Sequence, residues 1–512
     1  MTRRVLALAA VLVALAAIYV AAAQTQPRSG AAQAPPRAAG TTAAITSVLR
    51  ACPPPGPNTG DAQIAVVAAP GQGGRAPSSG SAQLTAMPDP AATQPATAPP
   101  ARPGNQPATG SAPAGAKSVS LPASGSLALR AAPQAPLRGG TAVSASGPMA
   151  QGFEAEEASS SGTGLVSCAH PGSDMWFTGA GQQTGAPVMR LYLMNSGTVP
   201  ASVEVTVLTD AGIQPGLNSA ITVAAGQSMS QDIAKYAHGS VVLGVHVQTS
   251  SGQVAADLWE GPAKGSGGAW LPQAAAPAKQ VVIPGLATTS GAARLFVVVP
   301  GSADARVKVT VATAHGPFLP FGTSLQDAPA AAASSFALSS LGSSDGALVL
   351  TSNVPITAGI AVSGAGIGAF SAGAAPLTEQ GVVAANPAGK QSSVSLTLTA
   401  PAAAAAASVA VVPSGSGSSG APLPQAVQVP AGHTAVVSVR PPAGGQPFAI
   451  VITPRAGSGP LYAARVVASG TAATSPIASI LPVLSAPSDV ALPPARDSYA
   501  AISPAGSPAG QG

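Results

Sequence analysis

Catalysis needs acids, bases or nucleophiles that converge, and this 512-residue chain offers few: five histidines and 17 acidic residues. His170, His238, His246, His315 and His433 fall into no H-x-x-x-H or H-E-x-x-H arrangement, the spacing that would set two metal ligands on one helical face. Gly342-Ser343-Ser344-Asp345-Gly346 matches the G-x-S-x-G nucleophile elbow in letters. That elbow needs a helix after it, whereas the strand-like Ala347-Leu348-Val349-Leu350-Thr351 follows, so it reads as a Gly/Ser turn. Gly364-Ala365-Gly366-Ile367-Gly368-Ala369 resembles a dinucleotide fingerprint but lacks a βαβ setting and a later acidic residue, and reads as a connector. Glu154, Glu156 and Glu157 are the one acidic cluster, read as a solvated strand end rather than a glycosidase pair. No catalytic, cofactor or metal residues are assigned.

Aromatic side chains are scarce at 3%, and five of them gather in one region: Trp176, Phe177, Tyr192, Trp259 and Trp270. Large rings in a β-rich chain belong first to the core. If the protein held a glycan by stacking, Trp176, Phe177 and Trp270 would be the ligand contacts. Two cysteines, Cys52 and Cys168, are expected to pair in an oxidising compartment, with two free thiols as the alternative. Zinc would need four ligands, and no C-x-x-C pair is present.

The elements that would carry these residues are strands. With 59 Gly, 53 Pro and 8% charged residues, long helices have little uninterrupted room, while sheets joined by Gly/Pro turns tolerate the mixture. Period-2 alternation is plain in Arg190-Leu191-Tyr192-Leu193-Met194-Asn195 and in 201–208, with a turn at Asn195-Ser196-Gly197 between them. Further strands are expected at 63–68, 118–121, 126–130, 220–223, 241–248 and 253–258. A closing hairpin over 245–257 has counterparts at 348–364 and 449–470, and a Pro-containing connector follows each. Pro277 to Pro376 spans 99 residues and Pro376 to Pro487 spans 111, the size of an immunoglobulin-like sandwich.

Ahead of these modules, Arg3 and Arg4 precede an uncharged apolar segment, 5–23, that ends in Ala21-Ala22-Ala23. It reads as a signal peptide or, uncleaved, as a membrane anchor, and places the rest of the chain outside the cytoplasm. The net charge of +5 is spread thinly, without the basic patch that nucleic acid requires.

Cys168-Ala169-His170-Pro171, then Asp174-Met175-Trp176-Phe177-Thr178-Gly179 and the strands 191–195 and 203–207, resemble the uncharacterised secreted or membrane-anchored proteins of actinobacteria grouped as a domain of unknown function. Their arrangement is a leader, an early cysteine like Cys52, and a C-x-x-P…D-x-W-F-x-G segment opening a β-rich body. The resemblance implies an envelope location and no particular activity.

The expectation is therefore an all-β chain of tandem immunoglobulin-like β-sandwich modules after an N-terminal leader or anchor helix and a disordered linker. Its divisions are a leader (1–23), a linker (24–44), a β-rich region (45–164) with a Pro/Ala-rich loop (87–117), sandwiches 1 (165–276), 2 (277–375) and 3 (376–486), and a tail (487–512). Whether 45–164 is its own domain or lends strands to sandwich 1 is left open. Function is expected to be that of a non-enzymatic, envelope-associated interaction or structural protein, with a cell-wall carbohydrate-binding module as the alternative. Partners would be a cell-wall polymer or envelope proteins, and the membrane if the leader is retained. Nucleic acid is not among them, and no cofactor is implied.

Overall fold

The computed structural model describes residues 42–57, 62–69, 80–90, 117–121, 127–131, 139–159, 164–181, 188–215, 220–262, 268–287, 293–339, 341, 345–362, 369–414, 423–469 and 477–492. The leader, most of the linker, the body of the Pro/Ala-rich loop, both glycine-rich motif matches in part, and the end of the tail lie outside these residues. Residues 44–489 form one compact unit. Thr42–Ala44, expected in the linker, and Asp489–Ala491, expected in the tail, instead pair as a two-stranded sheet.

Alternating sequence becomes alternating burial. Ala201–Thr209 sends Ala201, Val203, Val205 and Val207 inward, while Glu204 is exposed. Four sandwiches result among the described residues, one more than the sequence repeats suggested: the N-terminal region forms two sheets of its own over 47–167, and none of its described strands joins a sheet of sandwich 1. Its last strand, Leu165–Ser167, pairs with Phe153–Ser159, so the boundary falls just after residue 167 rather than at 164.

All four share one topology. Sandwich 3 shows it most simply. Gly381–Asn386, Phe448–Pro454, Ala405–Pro413 and Gln425–Val429 form one sheet in that spatial order, and His433–Val439, Ser392–Ala400, Tyr462–Ser469 and Ile477–Pro482 form the other. Numbered along the chain, strands 1-6-3-4 face strands 5-2-7-8. The order differs in detail from an immunoglobulin domain, whose sheets run ABED and CFG, because strand 1 here pairs with strand 6. Here strands 6 and 7 lie in opposite sheets. The expected closing hairpins at 245–257, 348–364 and 449–470 are therefore arches between sheets. In sandwich 2 the arch is one bent strand, Gly346–Val362, whose first half joins one sheet and second half the other.

Each repeat then closes on itself by a single antiparallel bridge from just past strand 8 to strand 1: Ala51 to Ala169, Trp176 to Ala274, Val282 to Ala374, and Gly381 to Ser485. In the N-terminal sandwich the bridge is reinforced by the Cys52–Cys168 disulfide, with both residues fully buried.

The repeats pack in a cycle. Phe296, Val298, Ala333, Phe370 and Ala372 of sandwich 2 join the core of sandwich 1. Ala464, Val466 and Ile480 of sandwich 3 join that of sandwich 2. Ala65, Val67, Ala69 and Leu165 of the N-terminal sandwich join that of sandwich 3, and Ala51, Met87 and Ala169 meet Met194 and Ala255 of sandwich 1. The four eighth strands touch in the same order around a common axis. The unit is thus a closed ring of four sandwiches.

The scarcity of large side chains has a physical use at these seams, where sheet must approach sheet. A β-carbon on Gly244 would lie 2.6 Å from Val298 Cγ2, and one on Gly359 would lie 2.2 Å from Thr178 Oγ1. Both glycines sit where sandwiches 1 and 2 meet.

Candidate functional site

Trp176, Phe177 and Trp270 are 5%, 0% and 6% exposed, so none offers a face to a sugar. Trp176 lies parallel to His246 at 3.9 Å between ring centroids, and His246 in turn holds Asp174 at 3.0 Å. Trp270 packs edge-on against Trp259 at 5.1 Å. The stacking-platform reading is corrected: rings of this size are spent on the core and the seams.

The titratable groups gather where sequence alone placed them in solvent. Strand Phe153–Ser159 carries Glu154, Glu156 and Glu157, and all three are buried, not solvated. Period-2 alternation sends Phe153, Ala155 and Glu157 to one face and Glu154, Glu156 and Ala158 to the other. Arg50, in Ser47–Cys52, donates from Nε to Glu154 Oε1 at 3.3 Å and from Nη2 to the Phe153 carbonyl at 3.0 Å. Arg465, in Tyr462–Ser469, crosses from sandwich 3 and donates from Nη1 to Glu156 Oε2 at 3.0 Å and to the Ala385 carbonyl at 2.7 Å.

A backbone irregularity completes this second pair. The first strand of sandwich 3 loses register between Val383 and Asn386, so the Ala384 and Ala385 amides are released from the ladder. Ala385 N–H donates to Glu156 Oε2 at 2.8 Å. One carboxylate thus collects a guanidinium and a backbone amide from the far end of the chain. Burial pushes Glu154 and Glu156 up from the usual carboxylate range, and Arg50 and Arg465 pull them back.

Glu157 has no such partner. It stands opposite Val166 in the strand register of the N-terminal sandwich, and Asp257 stands opposite Tyr192 within a sheet of sandwich 1. Val166, Tyr192, Trp259 and Trp270 form one buried apolar cluster, so both acids border it. Glu157 Oε2 and Asp257 Oδ2 make no hydrogen bond, and burial holds both carboxyls well above their ordinary values. A cavity of about 40 Å³ lies at the axis, lined by residues including Ser167, His170, Asp257, Gln273 and Leu481. It has room for about one water molecule. Among the described residues no group of three or more His, Cys, Asp or Glu is placed to hold a metal ion.

Glu260, on the opposite face of its strand from Trp259, points into sandwich 1 beside Gly179. Burial pushes it from 4.5 up to about 8, partly countered by a hydrogen bond from the Ala180 backbone. A carboxyl raised on folding adds stability that is full below its unfolded value and lost as pH rises through its folded one. Wild-type stability should therefore decline between 4.5 and about 8. Glu260→Gln should flatten that decline, read from urea midpoints measured across this range.

One signal in the sequence could have located the buried row. Arg50 and Arg465 each sit alone inside an apolar strand, SVLRAC and YAARVVAS. An isolated guanidinium there requires a buried carboxylate, and Glu154 and Glu156 belong to the sole acidic cluster.

Fold and site together define a class: a multi-sandwich β-protein whose clustered ionisable groups lie between modules. Within that class the chain belongs to a family of unknown function (DUF5719), whose model matches residues 110–440. No curated protein matches it. No solved structure matches it either. The matched stretch begins within the N-terminal sandwich and stops before the last three strands of sandwich 3, so Arg50, Cys52 and Arg465 lie outside it.

Proposed function

We propose that this protein is an extracytoplasmic, envelope-associated scaffold that acts by binding rather than by catalysis. The observation that carries the reading is the Cys52–Cys168 disulfide, closed inside a core. Such bonds persist in oxidising compartments. The apolar segment after Arg3 and Arg4 supports the same location and would tether the ring to the membrane if it is retained. The burial of Glu154, Glu156 and Glu157, two of them paired with buried arginines, supports a structural use for those groups.

The partner is a cell-wall polymer or another envelope protein. An outward groove on the N-terminal sandwich supports the former. Its residues include Ser47, Ser81, Gln83, Ser144 and Ser146, uncharged hydroxyl and amide groups suited to a hydroxylated polymer. The test is co-sedimentation of residues 24–512 with isolated actinobacterial cell walls and with walls stripped to bare peptidoglycan. Saturable binding lost on stripping identifies the stripped polymer as partner. Absence of binding to both rejects a wall-polymer role.

A further inference from the structure

The ring has four seams, and the one between the N-terminal sandwich and sandwich 1 differs chemically from the two that sandwich 3 makes. It places two carboxyl side chains, Glu157 and Asp257, at one apolar cluster, each with a side-chain oxygen that has no hydrogen-bond partner. The seam to sandwich 3, by contrast, answers its buried Glu156 with Arg465. Where sandwiches 2 and 3 meet, Thr434 Oγ1 donates to the Ala312 carbonyl at 2.9 Å beside an apolar contact.

We infer that the seam between the N-terminal sandwich and sandwich 1 is a proton-held joint: closed while Glu157 and Asp257 are neutral acids, loosened when they ionise. An ionised carboxylate at this cluster has no counter-ion, and two of them repel. Opening the seam gives both back to water.

The surrounding groups do not relieve that charge. On the strand of Glu157, Glu154 is engaged by Arg50 and Glu156 by Arg465. Burial pushes the Tyr192 phenol up to about 12, with the charges of Arg190, Glu157 and Asp89 as smaller influences, so it stays neutral. His170 stands at the edge of the axial cavity, beside Asp257. The direction follows from the raised carboxyls. Stability is full below the ordinary values of 4.5 for Glu157 and 3.8 for Asp257, and is lost as pH rises through their folded values. Acid tightens the ring and base loosens it.

Two of the three tryptophans, Trp259 and Trp270, lie at this seam and report on it. The experiment follows tryptophan emission and hydrogen exchange of segments 165–170 and 255–261 in the full chain from acid to alkaline pH. Exchange is corrected for its intrinsic base catalysis, and the seam around Ala464 and Ile480 serves as control. The wild type should show a reversible red shift and loss of protection at 165–170 and 255–261 while the control stays protected. The double variant Glu157→Gln, Asp257→Asn should lose both changes, and Glu157→Gln alone should shrink them. Equal pH responses in wild type and variants would overturn the inference. So would simultaneous opening of the control seam, which would mean global unfolding rather than a joint.

Discussion

Replacing Arg465 by alanine should lower stability by about 3–5 kcal/mol, the usual cost of leaving one member of a buried ion pair alone. Arg465 is 0% exposed and its partner Glu156 is equally buried, so solvent cannot replace the lost guanidinium. The location of the damage is the informative part. Consecutive sandwiches are joined by chain, but the N-terminal sandwich meets sandwich 3 only through side chains and backbone from opposite ends of the sequence. Gln380 Nε2 donates to the Ala69 carbonyl at 2.8 Å there, and Gly152 N–H donates to the Pro487 carbonyl at 3.1 Å. Arg465→Ala should therefore raise exchange first at 153–159 and 381–386, and lower the urea midpoint. Glu156→Gln combined with Arg465→Met should recover most of the loss, because neither remaining side chain is charged. A single variant as stable as wild type would mean that the pair does not hold this seam.

Removing the disulfide should cost nearly as much. Cys52 and Cys168 are separated by 116 positions, and closing a loop of that length is worth up to about 5 kcal/mol in the chain-entropy picture. The other three repeats close the same position by backbone bridging alone. The N-terminal repeat carries the long Pro/Ala-rich connection between strands 80–87 and 117–121, which raises its cost of closure. Cys52→Ser with Cys168→Ser should lower the thermal midpoint and should expose 47–167 to protease before sandwiches 1–3. Uniform cleavage over all four sandwiches would show instead that the ring melts as one body.

The strands were the legible part of this fold. Expected strands at 63–68, 201–208 and 241–248 correspond to Ala62–Ala68, Ala201–Thr209 and Val242–Ser251, because period 2 is a direct consequence of the pleat. The repeat was legible too: Pro277, Pro376 and Pro487 fall two or three residues past the bridging Ala274, Ala374 and Ser485. The N-terminal repeat escaped notice because the long connection interrupts its strand spacing, although its topology is the same. Pairing partners were not legible. Val245–Gln248 and Val254–Asp257 read as a hairpin because they are adjacent and amphipathic, and alternation does not say to which sheet a strand returns.

The carboxylates were misread for a related reason. In Glu154-Ala155-Glu156-Glu157 composition points to solvent, and what overrides it is Arg465, 309 positions away from Glu156. Trp176 and Trp270 were buried by neighbours in sandwiches 2 and 1, which no local pattern encodes.

Closure of the ring is reported most directly by the amide of Ala385. It is freed from its own sheet by the irregularity at 383–386, and its partner is Glu156 of the N-terminal sandwich. Residue-resolved hydrogen exchange should find Ala385 protected to the same degree as Val382 and Val383, with that protection lost in Arg465→Ala. Exchange of Ala385 at the rate of a solvent-exposed amide, beside protected Val382 and Val383, would contradict closure.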